Sequence, residues 1–257
     1  MIDFLRTDPI GFFSFMLYRA PAVLLALTLH ELAHGYVAYR CGDTTARDMG
    51  RLSLNPFHHL DLIGTILMFT AGMGWAKPVP VNPYRFRKPL RDDFLVSIAG
   101  VTVNFILFLL ATYCSVLLVR PLISDDFAAY YGYRFFLSFD ENGFWYLISC
   151  EKELLPELLK TPWLVHIARF LFQFAMCNLG QCLFNLLPFP PLDGFHVFND
   201  IILKGRLRLS RQAFQYSMLA LLLIMSTTDI VSNLLSMAIN GIQGGVLNVF
   251  LRMNGLS

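Results

Sequence analysis

The chain has 257 residues, of which 56% are hydrophobic and only 15% are charged, and its net charge is +2. Soluble domains carry about 25% charged residues, and so small a net charge gives no basis for binding nucleic acid. The apolar residues occur in long blocks, which is typical of a helical membrane protein rather than of a soluble core. We therefore expect one all-α polytopic domain over residues 1–257, with about four to six transmembrane helices in a lipid bilayer.

The longest apolar blocks predict the membrane spans in chain order. About 17–25 apolar residues are needed to cross the hydrocarbon core as a helix. Four blocks meet this requirement and are predicted as spans: 11–39, 94–119, 162–187 and 212–229. Residues 230–251 are also apolar but contain Asn233, Asn240 and Gln243. The sequence leaves open whether this last block crosses the membrane or lies along its surface.

The segments between the spans predict irregular structure near the first span. Residues 51–55 alternate polar and apolar side chains, which is a weak strand signal. Residues 60–76 are apolar but short and glycine-containing, which predicts a re-entrant segment or a short helix rather than a full span. Residues 77–91 contain four prolines and are predicted to be extended. The domain thus divides into three parts: a core over 11–205, an outer-side insertion over 120–161 within it, and C-terminal helices over 212–251.

Basic residues are distributed unevenly between the spans. Segment 77–93 has five Lys or Arg residues and segment 194–212 has four. The insertion has three basic residues against seven carboxylates between 121 and 161. Because cytoplasmic loops are enriched in Lys and Arg, we expect the first two segments in the cytoplasm and the insertion outside. This predicts a multi-pass plasma-membrane protein whose functional site faces the cytoplasm.

The sequence His30-Glu31-Leu32-Ala33-His34, within the first span, is an H-E-x-x-H motif. Residues four apart lie one turn apart on the same face of a helix, so His30 and His34 are placed to share one metal ion. Zinc in such a site lowers the pKa of water to roughly 7, and Glu31 is placed to take the proton. Two histidines on one helix face by chance are the alternative, but ionisable groups at membrane depth are costly and usually functional.

A catalytic zinc site needs a third protein ligand. Asp193 follows the proline-rich turn after the third span, at the predicted depth of the two histidines. Spacing alone leaves open whether Asp193 is a ligand or the N-cap of a following helix over 195–203. The other histidines are weaker candidates: His58, His59, His166 and His196.

Several motifs together carry a family resemblance. They are H-E-L-A-H at 30–34, G-R-L-S-L-N-P at 50–56, K-P-V-P-V-N-P at 77–83, G-V-T-V-N at 100–104, N-L-L-P at 185–188 and L-D-G at 192–194. In this order they resemble the site-2 protease family of intramembrane zinc metalloproteases, in its compact prokaryotic form without a PDZ or CBS domain. The resemblance covers about residues 20–205 and is far more specific than H-E-x-x-H alone. Two departures are the absence of Pro after Gly100 and a long, aromatic insertion.

The resemblance implies roles for individual residues. His30, His34 and Asp193 resemble the ligands of one zinc ion, and Glu31 resembles the general base. Asn104 and Asn185 resemble polar residues that help to bind substrate near the site. For Asn104 the alternative is a polar residue that bonds to a neighbouring helix.

The expected function is hydrolysis of peptide bonds within or beside transmembrane segments of membrane-protein substrates, as in regulated intramembrane proteolysis. A regulatory membrane partner or a second copy of the chain is a further candidate partner. One alternative is a non-catalytic zinc protein that binds membrane helices, and another is a metal transporter. Transport needs polar residues along a path through several spans, whereas here they converge on one depth.

Overall fold

A computed structural model describes residues 2–70, 76–149, 155–207 and 209–256. The regular structure in this part of the chain is helical, as predicted, with isolated antiparallel bridges only at Leu60–Ala76 and Ile123–Leu159. The helices are α1 (Ile2–Thr7), α2 (Pro9–Cys41), α3 (Thr45–Asp48), α4 (Leu62–Thr70), α5 (Pro89–Leu122), α6 (Asp125–Leu137), α7 (Asn142–Ile148), α8 (Leu155–Leu158), α9 (Leu164–Asn185), α10 (Asp193–Ile201), α11 (Arg211–Thr227) and α12 (Ile230–Met253). Two short 3-10 turns are Pro56–His58 and Pro83–Arg85.

Among the described residues, four helices are long and apolar enough to cross a membrane: α2, α5, α9 and α12. The first three confirm the predicted spans. The predicted span at 212–229 corresponds to α11, which has 17 residues and covers about 26 Å; it is shorter than these four helices, and whether it crosses stays a prediction. Residues 230–251, which the sequence left open, form most of the 24-residue helix α12. The chain is an all-α polytopic membrane protein.

Local signals explain where the first long helix begins and ends. Asp8 accepts a hydrogen bond from the Gly11 amide, and Pro9 occupies the first helical position, where its missing N–H costs nothing. Gly42 ends the helix in the left-handed conformation at φ 112°, which a residue without Cβ adopts freely. This end lies close to the metal-ligand motif and turns the chain into the loop beside it.

The loops near the motif differ in part from prediction. Residues 51–55 form no strand, because their polar groups bond locally: the Asn55 amide donates to Ser53 Oγ. Residues 77–82 lack regular structure as predicted, but helix α5 begins at Pro89, where proline is tolerated. Helix α4 occupies part of the predicted re-entrant segment 60–76. Residues 71–75, which include Gly72 and Gly74, lie outside the described residues, so the prediction of a re-entrant segment stays untested.

Helices α2, α5 and α9 pack against one another, and α10 packs against α5. Ala22 and Ala26 of α2 are fully buried and let the backbones approach closely, as small residues do between membrane helices. The described part of the insertion is helical and contributes to the same core: its Phe136 and Phe144 are buried in one cluster with Phe108 of α5. The tightly packed α2, α5 and α9 thus form a rigid frame for the motif residues.

Candidate metal centre

His30, His34 and Asp193 come together between α2 and the start of α10. The Nε2 atoms of the two histidines are 3.0 Å apart. Asp193 Oδ2 lies 3.2 Å from Nε2 of His30 and 3.3 Å from Nε2 of His34. Both histidines are buried, and the carboxylate is partly buried. Among the described residues this is the group whose ligand atoms are close enough to hold a metal ion.

The triangle has the dimensions that zinc requires. Tetrahedral ligands at 2.0–2.1 Å from zinc are roughly 3.3–3.4 Å from one another, close to the three separations observed here. Asp193 Oδ2 is buried and has no hydrogen-bond donor of suitable geometry. With both imidazoles neutral and protonated at Nδ1, the three ligand atoms face one another as electron-pair donors, an arrangement that a cation stabilises. The residues present fit a zinc ion.

The orientation of His34 is fixed by the backbone of α5. Its Nδ1 lies 2.7 Å from the Val96 carbonyl oxygen, which can only accept, so Nδ1 carries the proton and donates it. In the neutral ring Nε2 then keeps its lone pair for the metal. A carbonyl behind a metal-binding histidine in this way fixes both tautomer and ring orientation.

Gly100 allows α5 to approach the two histidines. A methyl group at this position would lie 2.4 Å from His34 Nε2 and 2.6 Å from His30 Cε1. Any larger residue would therefore displace the imidazole rings. The sequence resemblance included Gly100 only as part of a motif, and the structure gives its physical reason.

Asp193 is positioned by the turn between α9 and α10. It is the first residue of α10, the N-cap position belongs to Leu192, and no side chain caps this helix. The alternative reading of Asp193 as an N-cap is therefore wrong. The predicted helix 195–203 begins two residues earlier and ends at Ile201. Gly194 makes the turn compact, because a Cβ there would lie 2.3 Å from the Leu186 carbonyl oxygen.

Glu31 points toward the segment 77–82 rather than into the ligand triangle. Its Oε2 accepts a 2.7 Å hydrogen bond from the Val79 amide. The side chain is partly exposed, and it lies on α2 directly after the first metal ligand. A carboxylate beside, but not in, a metal triangle has the placement expected of a general base.

Two charged side chains hold this segment against the site. Arg51 Nη2 donates to the carbonyl oxygen of Lys77 at 2.8 Å and to that of Pro78 at 3.3 Å. At the other end, the fully buried Asp43 accepts a hydrogen bond from the Asn82 amide at 2.6 Å. The sequence analysis assigned no role to Arg51 or Asp43. An arginine or aspartate in a loop gives no sign that its side chain will bind backbone groups of a segment much further along the chain.

Of the two predicted asparagines, Asn104 lies one turn after Gly100 on α5 and is fully buried. Its Nδ2 donates to Gln181 Oε1 of α9 at 3.0 Å, the interhelical bond that the alternative expected, while its Oδ1 has no partner. Asn185 is the last residue of α9 and is half-buried. It directly precedes Leu186, whose backbone packs against Gly194 beside Asp193. Asn185 is therefore close to the metal centre because of its position in the chain, and no contact with a ligand is seen among the described residues.

The remaining histidines do not join the ligand group. His59 Nε2 bonds to the Ser53 carbonyl, and His166 Nδ1 lies 2.6 Å from the Tyr18 hydroxyl. His196 Nδ1 lies 3.4 Å from Asp93 Oδ2. His58 is exposed in the turn Pro56–His58.

Comparison with known proteins agrees with this geometry. The model of peptidase family M50 matches residues 18–226. The chain is 35% identical over 92% of its length to "Putative zinc metalloprotease YwhC" of Bacillus subtilis, of which it covers 92%. It is 25% identical over 91% of its length to "Putative zinc metalloprotease Rip2" of Mycobacterium tuberculosis, of which it covers 73%. No solved structure matches. The matched family and the overall similarity show that this membrane protein, with its zinc-binding geometry, is a metalloprotease that belongs to peptidase family M50, the site-2 protease family.

Proposed function

We propose that the protein hydrolyses peptide bonds within or beside transmembrane segments of other membrane proteins. The observation that carries this proposal is the depth of the ligand triangle. His34 lies seven residues and His30 eleven residues before the end of α2, or about 10 Å and 16 Å along a membrane-spanning helix. A protease with its reacting groups at this depth meets peptide bonds of transmembrane segments rather than of soluble chains.

In this proposal His30, His34 and Asp193 hold the zinc ion, and Glu31 is the general base. The zinc ion would polarise the scissile carbonyl and lower the pKa of the attacking water to roughly 7. Glu31 takes a proton from that water and passes it to the leaving amine. Its hydrogen bond with Val79 keeps the carboxylate beside the triangle during both transfers.

The substrate must present an extended backbone, since a helical one keeps its carbonyl groups hydrogen-bonded and shielded. Segment 77–82 runs beside Glu31 without regular structure. We infer that the backbone groups of this segment that Glu31, Arg51 and Asp43 do not engage pair with the unwound substrate, as in strand addition. Asn104 Oδ1 and Asn185 are the further polar groups proposed to contact the substrate or orient groups around it.

We also propose that the site faces the cytoplasm of a plasma-membrane protein. The support is the distribution of basic residues, with five Lys or Arg in 77–93 and four in 194–212. Segment 77–93 leads into the metal-site end of α5, and segment 194–212 begins directly after Asp193. The acidic insertion follows the opposite end of α5.

The proposal is tested with purified protein in detergent and a generic transmembrane-segment substrate, measuring zinc content and cleavage together. The wild type should bind about one zinc ion per chain and cleave. Glu31→Gln should keep the zinc ion and lose cleavage by about 100-fold or more, the usual contribution of a general base. His30→Ala should lose both. Glu157→Gln makes the same chemical change at an exposed site on α8 and should leave both unchanged.

Cleavage by Glu31→Gln at the wild-type rate would remove Glu31 as the base. Zinc binding without cleavage by any variant, in detergent and in lipid, would favour the non-catalytic helix-binding alternative. Zinc transport into vesicles without proteolysis would favour the transporter.

A further inference from the structure

Two arginines inside membrane-spanning helices have no carboxylate partner in the described part of the chain. Arg19 belongs to α2, and Arg169, on α9, is only 6% exposed. Among the described residues no carboxylate lies within 4.0 Å of either guanidinium, whereas Arg47, Arg85 and Lys160 each have one. Burying a charged guanidinium is costly unless an opposite charge lies beside it, so this pair calls for a compensating anion.

The hydrogen bonds around the two arginines leave buried donor groups without an acceptor. Arg169 Nε donates to the Leu147 carbonyl at 2.7 Å, and its guanidinium lies 5.8 Å from the centre of the Tyr18 ring. Arg19 Nη1 donates to Gln173 Oε1 at 3.3 Å. Two buried nitrogen atoms then have no acceptor, Arg169 Nη2 and Gln173 Nε2. The group that completes this cluster must carry negative charge and several acceptor oxygens.

The cluster is separate from the metal centre. Arg169 lies sixteen residues, about 24 Å along α9, from Asn185 at the metal-site end. It lies about 8 Å from the first residue of α9, next to the exposed Trp163. Exposed tryptophans mark the boundary between hydrocarbon and headgroups, so the arginines lie near headgroup depth in the leaflet opposite the metal centre.

Arg19 is the partly exposed member of the cluster, whereas the unpaired nitrogen atoms of Arg169 and Gln173 are buried behind it. The outer edge of the cluster is the contact between the Tyr18 hydroxyl and His166, which is exposed. The neighbours of these two residues, Leu17 and Ile167, are 68% and 44% exposed and offer apolar surface on either side. A ligand seated here would have its charged oxygens inside the cluster and its chains on Leu17 and Ile167.

We propose that Arg19, Arg169 and Gln173 form a binding site for the phosphodiester group of an anionic phospholipid. Guanidinium groups match the oxygens of phosphate, and basic pockets between membrane helices bind lipid headgroups. The bound lipid neutralises the arginines and links α2 to α9, the helices that carry the zinc-ligand motif and lead to Asp193.

The test uses the full chain in detergent with equal amounts of dioleoyl phosphatidylglycerol and dioleoyl phosphatidylcholine, counting bound lipids by native mass spectrometry. The wild type should retain the anionic lipid preferentially. Arg19→Gln should reduce this preference about tenfold, the effect of losing one hydrogen bond between charged groups, with zinc content unchanged. Arg120→Gln is the matched control: Arg120 is exposed in the last turn of α5, at the same end of the bundle, and its loss should leave the preference unchanged.

An equal preference in wild type and Arg19→Gln would overturn the proposal. So would a thermal shift with sodium phosphate as large as that with phosphatidylglycerol, which would identify a free anion as the ligand. An unchanged lipid preference with slower cleavage of an acidic substrate would assign the cluster to substrate carboxylates instead. If Arg19→Gln does not fold, the wild type decides alone, and retention of both lipids in equal amounts rejects the site.

Discussion

The Val79 amide donates a 2.7 Å hydrogen bond to Glu31 Oε2, across 48 residues of sequence. Val79 lies between Pro78 and Pro80, which have no amide hydrogen, so its N–H is the one donor of this tripeptide. Arg51 holds the carbonyl oxygens on the N-terminal side of Val79. The backbone of an irregular segment therefore fixes the position of the proposed base.

Removing this single donor should slow the reaction without emptying the metal site. Val79→Pro replaces the N–H and extends the proline run, and we expect cleavage to fall about tenfold or more, since a hydrogen bond to a charged group contributes about 1.5–3 kcal/mol. Zinc content should stay at the wild-type level. Val79→Ala keeps the amide and is the control, because it changes only the side chain. Equal activities of Val79→Pro and Val79→Ala would show that the contact has no role in catalysis.

Gly100→Ala should disturb the metal centre itself. The added methyl group would lie 2.4 Å from His34 Nε2, so the rings must move and the ligand triangle must open. We expect the zinc content of the purified protein to fall to well under half of the wild-type level, together with cleavage. Gly180→Ala is the matched control on α9, where a Cβ meets nothing within 4 Å. Full zinc occupancy in Gly100→Ala would show that α5 shifts to accommodate the group.

The sequence predicted the spans of α2, α5 and α9 because their apolar runs are long. It predicted His30 and His34 as ligands because metal ligation constrains residue type and spacing, whereas the ligand role of Asp193 was favoured only by the family resemblance. It left open whether α12 crosses the membrane and did not show that α11 is only 17 residues long, since an apolar run bounded by polar residues does not reveal where the helix breaks. It also gave no sign of Val79, Arg51 or Asp43. Their roles depend on backbone groups brought close by the tertiary fold, and backbone groups carry no sequence signal.

Asp43 should make the stability of the loops near the metal centre depend on pH. Burial alone would raise the pKa of this carboxyl, but hydrogen bonds from Thr45 and the Asn82 amide outweigh it and hold the pKa below its ordinary value. A carboxyl with a lowered pKa in the folded state stabilises the fold above its unfolded pKa, about 3.9, and loses this contribution as the pH falls below it. The wild type should therefore have a higher melting temperature than Asp43→Asn at pH 7. The difference should shrink below about pH 4, because the amide does not titrate. A constant difference across this range would mean that the charge of Asp43 is not what stabilises the segment.

The contacts of α12 predict the topology of the C-terminal region. Gln243 Nε2 donates to the Leu137 carbonyl at the end of α6, and Phe250 packs 5.3 Å from Tyr113 in the second half of α5. The C-terminal half of α12 thus lies at the insertion end of the bundle, so α12 begins at the metal-site end. Because α11 also begins there, with Phe214 packed against Phe195 of α10, this 17-residue helix starts and finishes on one side of the membrane.

Reporter fusions check this arrangement directly. Fusions after residue 140 and after residue 256 should report the same side of the membrane, and a fusion after residue 206 should report the other, cytoplasmic side. The basic residues of 194–212 favour the cytoplasm for the residue-206 fusion. Reporters after 140 and 206 on the same side would refute the orientation as a whole. A reporter after 256 on the side of residue 206 would refute only the arrangement of the last two helices, since either α11 would then cross as well or α12 would not cross.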